Sequence, residues 1–521
     1  MLVIGKLFTA LFLLLAATRC PAAGKASHVV VVVWDGMRPD FVDEKMTPTL
    51  WRLSLEGVRF GNHHPVYPSS TEVNGAALAT GVYSETNGII GNHEFRPIID
   101  TFQPILTADP GAVSRGDKAT GNHFLNCATV AETLHAATLS TAVAGSKLVA
   151  LLQDRNAGTV TEEAGARADI FEGKVLPEKM VGQIKTAAGR FPGAIWTKRR
   201  RDRWTTRALI EGLWANSVPA FSLLWLSEPD NSQHRTGPGS RTARNSIKAA
   251  DKNLERVLDA LDKKGVRTQT DVIVVSDHGF STIVSKVDLV AALNHAGFRA
   301  RRKFSTPTPD NGEVLVVGNG GSSFLYVVGH SQQLIEQIVH WLQRQSYAGA
   351  ILTRNPVDGA FPLELVKINS ADAPDIVISF RWNPNPSRNG TPGLLETDMT
   401  RYSSGKGMHG SLSRFDMHNT CIAAGPDFRK GFEDHLPTGN IDIAPTVLCI
   451  LGVKPSQPLS GRVLTEALSA SDGPPLQVKS GRVERRYQGE GFFWRQYLNF
   501  SEVNGVIYLD EGNGEQKMQK Q

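Results

Sequence analysis

The stretch His28-Val29-Val30-Val31-Val32-Val33 runs without interruption into Trp34-Asp35-Gly36. β-Branched residues at every position, rather than at alternate ones, read as a strand buried on both faces, as in the centre of a parallel sheet. The same grammar recurs downstream: residues 221–226 run into Ser227-Glu228-Pro229-Asp230, and residues 271–275 into Ser276-Asp277-His278-Gly279. Each apolar run therefore ends in acids and turn formers. In an open α/β sheet the carboxyl ends of the strands line the ligand crevice. Strand ends that each carry an Asp predict both the fold class and the position of a site.

Helical periodicity fits between these runs, at residues 74–79, at 246–264 with Leu254, Val257, Leu258 and Leu261 on one face, and at 331–345. The expected architecture is an α/β core, a mostly parallel central sheet with helices on both faces, formed by residues 24–296 and 401–460. Residues 297–400 change character, with Gly318 to Gly321 and a Pro- and Asn-rich segment at 382–393. They read as an inserted cap region with its own small sheet at 314–317 and 324–328. Residues 461–521 read as a C-terminal extension with strand-like runs at 492–500 and 506–509. No internal repeat is visible.

The chain has 521 residues, 41% hydrophobic and 21% charged, with a mean hydropathy of -0.20. That is too polar for a multispanning membrane protein and leaves ample material for a large core. Lys and Arg number 56 against 51 Asp and Glu, a net charge of +5. No concentrated basic footprint of a nucleic-acid binder is seen, and no nucleic-acid partner is expected. Lys198-Arg199-Arg200-Arg201-Asp202-Arg203 is the one charge run, read as a solvated helix face.

Residues 1–23 read as a secretory signal peptide. Lys6 is the positive end, residues 7–18 are a short apolar run, and Ala22, Ala23 and Gly24 offer a cleavage site. The run is below the roughly 18 residues a membrane span needs, so export to the periplasm or medium without a stable anchor is expected. Cys127, Cys421 and Cys449 then remain, with no CxxC spacing. Cys421 and Cys449 lie in apolar surroundings and read as buried thiols.

Asp230-x-x-x-His234 can place two ligands on one helical turn or in one tight loop, and Asp277-His278 presents adjacent side chains at a strand end. Each pair alone is ordinary. Together with Asp35 and His409, each beside glycine, they make a mixed oxygen and nitrogen donor set that suits zinc and exceeds what one tetrahedral ion needs. Two ions about 3.5–4 Å apart clamp the attacking and leaving oxygens of an in-line displacement. A nucleophile is sought in Ser69-Ser70-Thr71, ahead of the expected helix at 74–79. Such hydroxyls either cap the helix or attack a phosphate held at its N-terminus. Local sequence does not choose among them.

The ordered blocks are Val33-Trp34-Asp35-Gly36-Met37-Arg38, Pro65 through Asn74, Thr80-Gly81-Val82-Tyr83, Asn87 through Asn92, Glu228-Pro229-Asp230 to His234, Ser276-Asp277-His278-Gly279 and Gly407-Met408-His409-Gly410. In this order the chain resembles the alkaline phosphatase superfamily, most closely its type I phosphodiesterase and nucleotide pyrophosphatase branch, from about residue 28 to residue 453. The resemblance implies an alkaline-phosphatase-like core and two bound zinc ions, with manganese or iron able to take the same ligands. It implies Thr71 as nucleophile, and Asp35, Asp277 and His278 with Thr71 around one ion. Asp230, His234 and His409 are then expected around the other. Asn92 matches the asparagine that holds a non-bridging phosphoryl oxygen, and Asn74 a motif asparagine on the substrate side that supports the nucleophile loop.

Two departures stand out. Nucleotide-cleaving members have an aromatic residue after the nucleophile, where this chain has Glu72. Leu151-Leu152-Gln153-Asp154-Arg155 resembles a Lys-Asp-Arg stretch of zinc phosphomonoesterases in the superfamily, with Arg155 as the surviving substrate-binding cation. The leading expectation is an exported two-metal hydrolase of small-molecule phosphoric esters, of diester or pyrophosphate type, working through a phosphothreonine. The alternatives are a phosphomonoesterase using Arg155 and a metal-stabilised binding protein without turnover. A sulfatase is disfavoured, because no Cys/Ser-x-Pro-x-Arg motif occurs.

Overall fold

A computed structural model describes residues 24–156, 167–193, 198–470 and 476–518. The expected signal peptide, 1–23, lies outside them. A nine-stranded sheet forms the centre of the molecule. Its middle is parallel: His28–Trp34 lies between Thr270–Val275 and Phe221–Leu226, followed by Thr141–Gly145 and Arg167–Phe171. The antiparallel strand Cys421–Ala424 flanks Thr270–Val275 on the other side.

The uninterrupted valine run has a direct physical cause. Val29, Val31 and Val33 pack into one core with Val73, Ala76 and Ala77 of helix Thr71–Thr80. Val30, Val32 and Trp34 pack into a second core, on the opposite face, with Leu254, Val257 and Leu261 of helix Arg241–Lys263. Both faces are covered, so no position of the strand can be polar until it leaves the sheet at Asp35. Each fully buried aliphatic side chain contributes roughly 1.5–3 kcal/mol, which fixes the register on which the site depends.

A six-stranded sheet spans Arg299–Arg301 to Ile376–Phe380. It contains the expected pair, Glu313–Asn319 and Ser322–Val327, and helix Gln332–Leu342 packs on it through Ile335, Ile338, Val339 and Leu342. Strand Pro392–Asp398 pairs with Ser281–Val287, directly after the third acidic strand end. The C-terminal segment is a three-stranded antiparallel sheet. Its first strand, Val478–Gly489, is missing from the sequence reading, because it is polar and largely solvent-facing. This sheet straps two regions together. Gln496 exchanges hydrogen bonds with the backbone of Ile351, while the Tyr508 hydroxyl donates to Asp442 in the core at 2.8 Å.

Two expectations need correction. Cys127 and Cys421 are buried free thiols, but Cys449 is in a disulfide. The basic run forms helix Lys198–Arg207, yet its face is not wholly solvated. Arg201 is buried against Glu172 at 2.6 Å, and the buried Asp202 accepts hydrogen bonds from Ser146 and Ser227. Trp204, Thr205 and Thr206 of the same helix are buried as well.

Candidate active site

Every acidic strand end reaches the same crevice at the carboxyl edge of the parallel sheet. Asp35 follows His28–Trp34, Asp230 opens the short helix Asp230–Thr236 after Phe221–Leu226, and Asp277-His278 follows Thr270–Val275. One helical turn brings His234 back to Asp230, with Nε2 3.1 Å from Oδ1. His409 follows the short strand Gly407–Met408, and its Nε2 lies 3.4 Å from the same oxygen. The ligand atoms of Asp35, Asp277 and His278 all lie within 4.8 Å of one another, as do those of Asp230, His278 and His409. All of these residues except His234 are buried.

The backbone fixes the donors. Trp225 Nε1 donates to Asp35 Oδ2 at 2.8 Å, and the Gly36 amide donates to Asp277 Oδ1 at 2.9 Å. Each histidine gives its Nδ1 proton to a carbonyl: His278 to Gly279 at 2.8 Å, His234 to Gly407 at 3.0 Å and His409 to Ser69 at 2.9 Å. A carbonyl only accepts, so each Nδ1 carries a proton, and a neutral ring then keeps its lone pair on Nε2, the arrangement of metal-ligating histidines. Burial holds His278 and His409 down at about 3, hence neutral. Their lone pairs face carboxylate oxygens, Asp277 Oδ2 at 3.4 Å and Asp230 Oδ1 at 3.4 Å, both buried without a hydrogen-bond donor. Acceptor facing acceptor at this distance is repulsive unless a cation lies among them. The donors present therefore fit divalent metal ions of the zinc, manganese or iron type.

The electrostatics follow. Burial and the neighbouring Asp277 push the Asp35 carboxyl well above its usual range, and burial lifts Asp277 to about 6. Burial also works against the Asp230 carboxylate, but Lys147 and His234 hold it well below the usual range. Lys147 was absent from the sequence reading. It follows Thr141–Gly145, the next strand end along the sheet, and its ammonium lies 2.8 Å from both Asp35 Oδ1 and Asp230 Oδ2. Burial disfavours that charge, yet the surrounding Asp230, Asp35 and Asp277 keep it protonated. The signal was available: a fourth parallel strand end, carrying a base instead of an acid.

The hydroxyl run resolves by position. Thr71 is the first residue of helix Thr71–Thr80, and its Oγ1 lies 3.3 Å from His278 Nε2. Ser69 Oγ donates to the Ser411 carbonyl at 2.8 Å. Ser70 occupies the cap position without making a side-chain cap bond, so the capping explanation does not account for these hydroxyls. Asn92 Oδ1 accepts the Glu72 amide at 3.0 Å. The cleft above these groups has a volume of about 440 Å³ and is lined by Thr71, Asn92, Lys147, Asp230, His234 and His409 among others.

A family model for type I phosphodiesterase/nucleotide pyrophosphatase matches residues 29–412. The chain belongs to that family. It is 22% identical over 275 residues to a venom phosphodiesterase of Naja atra, a match covering 51% of this chain and 28% of that protein. It is 24% identical over 277 residues to ectonucleotide pyrophosphatase/phosphodiesterase family member 1 of Rattus norvegicus, covering 50% of this chain and 25% of that one. The matches thus span less than a third of these relatives' own length. Among solved structures, murine ectonucleotide pyrophosphatase/phosphodiesterase 5 superposes with a TM-score of 0.60 at 18% identity, covering 85% of this chain and 100% of that one. The likeness shows an alkaline-phosphatase-like fold. An inactive variant of the murine protein has been solved in complex with AMP.

Two site residues of this phosphodiesterase-family chain stand back from the cleft. Arg155 does not line the cleft; its guanidinium is 2.5 Å from Asp117 and 3.6 Å from Glu132, and the adjacent Asp154 is paired with Arg167. A buried guanidinium takes whatever carboxylates surround it, and here these are internal ones. Asn74 does not touch the cleft either. It is fully buried, accepting from the Val66 amide at 2.8 Å and donating to the Val66 and Ser70 carbonyls at 3.1 Å each. It braces the loop that presents Thr71. Among the described residues, no helix is long and apolar enough to cross a membrane.

Proposed function

We propose that the chain is an exported hydrolase of phosphoric esters, of diester or pyrophosphate type, that binds two zinc ions and works through a phosphothreonine on Thr71. The observation that carries this reading is Thr71 Oγ1 at the N-terminus of a buried helix, 3.3 Å from a histidine nitrogen that belongs to both acid clusters. Asp35, Asp277, His278 and Thr71 would hold one ion, and Asp230, His234 and His409 the other. When bound, the ions supply Lewis acidity, which favours the alkoxide and stabilises the leaving oxygen. Thr71 Oγ1 then attacks phosphorus in line while the opposite P–O bond breaks. Asn92 Nδ2 and the backbone amide of Thr71, the first residue of the helix, donate to the non-bridging oxygens. Water attacks the phosphothreonine from the vacated side, the bond between Thr71 Oγ1 and phosphorus breaks, the monoester of the retained alcohol leaves, and a proton from the water returns to Thr71 Oγ1. We assign residues 297–400 as the cap, since Gly318 to Gly320 and Thr397 to Thr400 line the cleft. Export rests on the signal-like residues 1–23.

A phosphomonoesterase reading keeps one observation in its favour, the Lys147 ammonium in the cleft; Arg155 no longer supports it. The test is kcat/KM of the zinc-loaded protein on bis-p-nitrophenyl phosphate and p-nitrophenyl phosphate, with a chelator control. Chelator-sensitive multiple turnover favouring the diester is expected. Thr71→Ala should lower it by ~10³-fold or more. Retention of full activity in Thr71→Ala would remove the reading, and a preference for the monoester would replace it with the second.

A further inference from the structure

Glu72 is an unspent acceptor at the reacting centre. It lines the cleft beside Thr71 and Asn92, is only 9% exposed, and has an Oε2 buried without a hydrogen-bond donor. Among the described residues it has no ion-pair partner. Its backbone amide is held by Asn92, so its position is fixed by the same turn that presents the nucleophile. With Oε2 turned inward, Oε1 is the oxygen left to face the cleft that Glu72 lines. An acceptor held in a cleft that substrate closes loses its water and then needs the substrate to supply a donor.

The in-line geometry says which part of a substrate can do so. The leaving oxygen departs on the side opposite Thr71 Oγ1, whereas Glu72 follows the nucleophile directly and reaches a group that stays on phosphorus. The walls do not favour a flat apolar group at this place. Tyr402 is the one Phe, Tyr or Trp side chain lining the cleft among the described residues. It stacks on His234, with centroids 4.7 Å apart and planes 7° from parallel, so no pair of rings is available beside Thr71 to sandwich a base.

We propose that Glu72 is a specificity-determining residue whose carboxyl oxygen accepts a hydrogen bond from a hydroxyl or ammonium group on the alcohol retained at phosphorus. The preferred substrates are then diesters of polyols or amino alcohols, not of nucleosides. This rests on the phosphoric ester hydrolase reading above and names its substrate class.

The test uses p-nitrophenyl diesters that share one leaving group and differ in the retained alcohol: glycerol (hydroxyls only), ethanolamine (ammonium), p-nitrophenol (no donor) and thymidine (nucleoside). Wild type should prefer the glycerol or the ethanolamine ester over bis-p-nitrophenyl phosphate, and the better of the two identifies the donor. In Glu72→Ala that preference ratio in kcat/KM should fall by about tenfold, the value of one hydrogen bond. Glu72→Gln, which keeps a carbonyl acceptor, should restore most of it for the hydroxyl ester, and Glu72→Phe should shift preference toward the thymidine ester. Equal losses on all four esters in Glu72→Ala would show a structural role and overturn the proposal, as would a wild-type preference for the nucleoside ester. Absence of wild-type turnover on bis-p-nitrophenyl phosphate would instead sink the hydrolase reading itself.

Discussion

The strand Thr270–Val275 has a buried carboxylate at each end, and the protein treats the two in opposite ways. At the carboxyl end, Asp277 receives the Gly36 amide and sits among His278, Lys147 and the other site acids. At the amino end, Asp271 Oδ1 receives the Asp427 amide at 3.2 Å, while Oδ2 has no donor. Burial and the Asp427 carboxylate then lift Asp271 to about 8, against about 6 for Asp277. One end gathers acids together with cationic and lone-pair partners; the other merely tolerates one. A buried acid therefore marks a site only when its neighbours complete a donor set.

The sharpest way to break that contrast is to remove the counter-charge at the carboxyl end. Among the described residues, Lys147 is the one whose ammonium touches both Asp35 and Asp230. Removing one partner of a buried ionic cluster costs about 3–5 kcal/mol. Lys147→Ala should therefore melt well below wild type when metal is stripped with EDTA, and added zinc should close most of the gap. Thermal melts with and without zinc measure this. An equal deficit in both conditions would mean that Lys147 does not stand in for metal charge.

A smaller effect is expected one layer out. Trp225 donates to Asp35 Oδ2 from the neighbouring strand, and loss of such an outer hydrogen bond typically costs 10–100-fold in metal affinity or activity. Trp225→Phe removes the donor and also leaves a cavity, because the larger indole is fully buried. Zinc affinity by competition with a chromogenic chelator, measured well below the variant's melting point, should fall by ~10-fold or more. Unchanged affinity would mean that the backbone alone orients Asp35.

How much of this was legible beforehand follows from the same physics. Asp35, Asp230, Asp277 and His278 stand out because they end apolar runs that permit no polar residue earlier, so their placement at one sheet edge could be derived from the pattern. His409 and Thr71 have no such run, and only the ordered motif blocks singled them out. Lys147 was overlooked, although Thr141-Ala142-Val143-Ala144-Gly145 is a strand of the same sheet, because its small residues give a weak apolar signal. A motif shows which residue is present but not which way it points, so the inward turn of Arg155 to Asp117 and of Asn74 to Val66 is not legible in it. The cleft-lining residues Asn319 and Thr397 to Tyr402 come from segments about 80 residues apart on loops and strand ends. No local pattern encodes that meeting.

The gentlest probe acts at the amino end and has the opposite sign. Asp271 binds its proton more tightly folded, at about 8, than unfolded, near the ordinary carboxyl value of 3.8. Its contribution is therefore most favourable below the unfolded value and is progressively lost as pH rises toward 8. Asn at this position can still accept the Asp427 amide and carries no charge to bury. Asp271→Asn should accordingly match wild type near pH 4 and melt a few degrees higher at pH 8.5, whereas Asp277→Asn should gain nothing there and lose the metal. Melts with zinc at pH 8.5 and without it near pH 4, each read as the difference between variant and wild type, isolate the group from other titrations. A difference that does not grow with pH would mean that Asp271 is ionised at no cost, and the two ends of the strand would then differ in chemistry but not in strain.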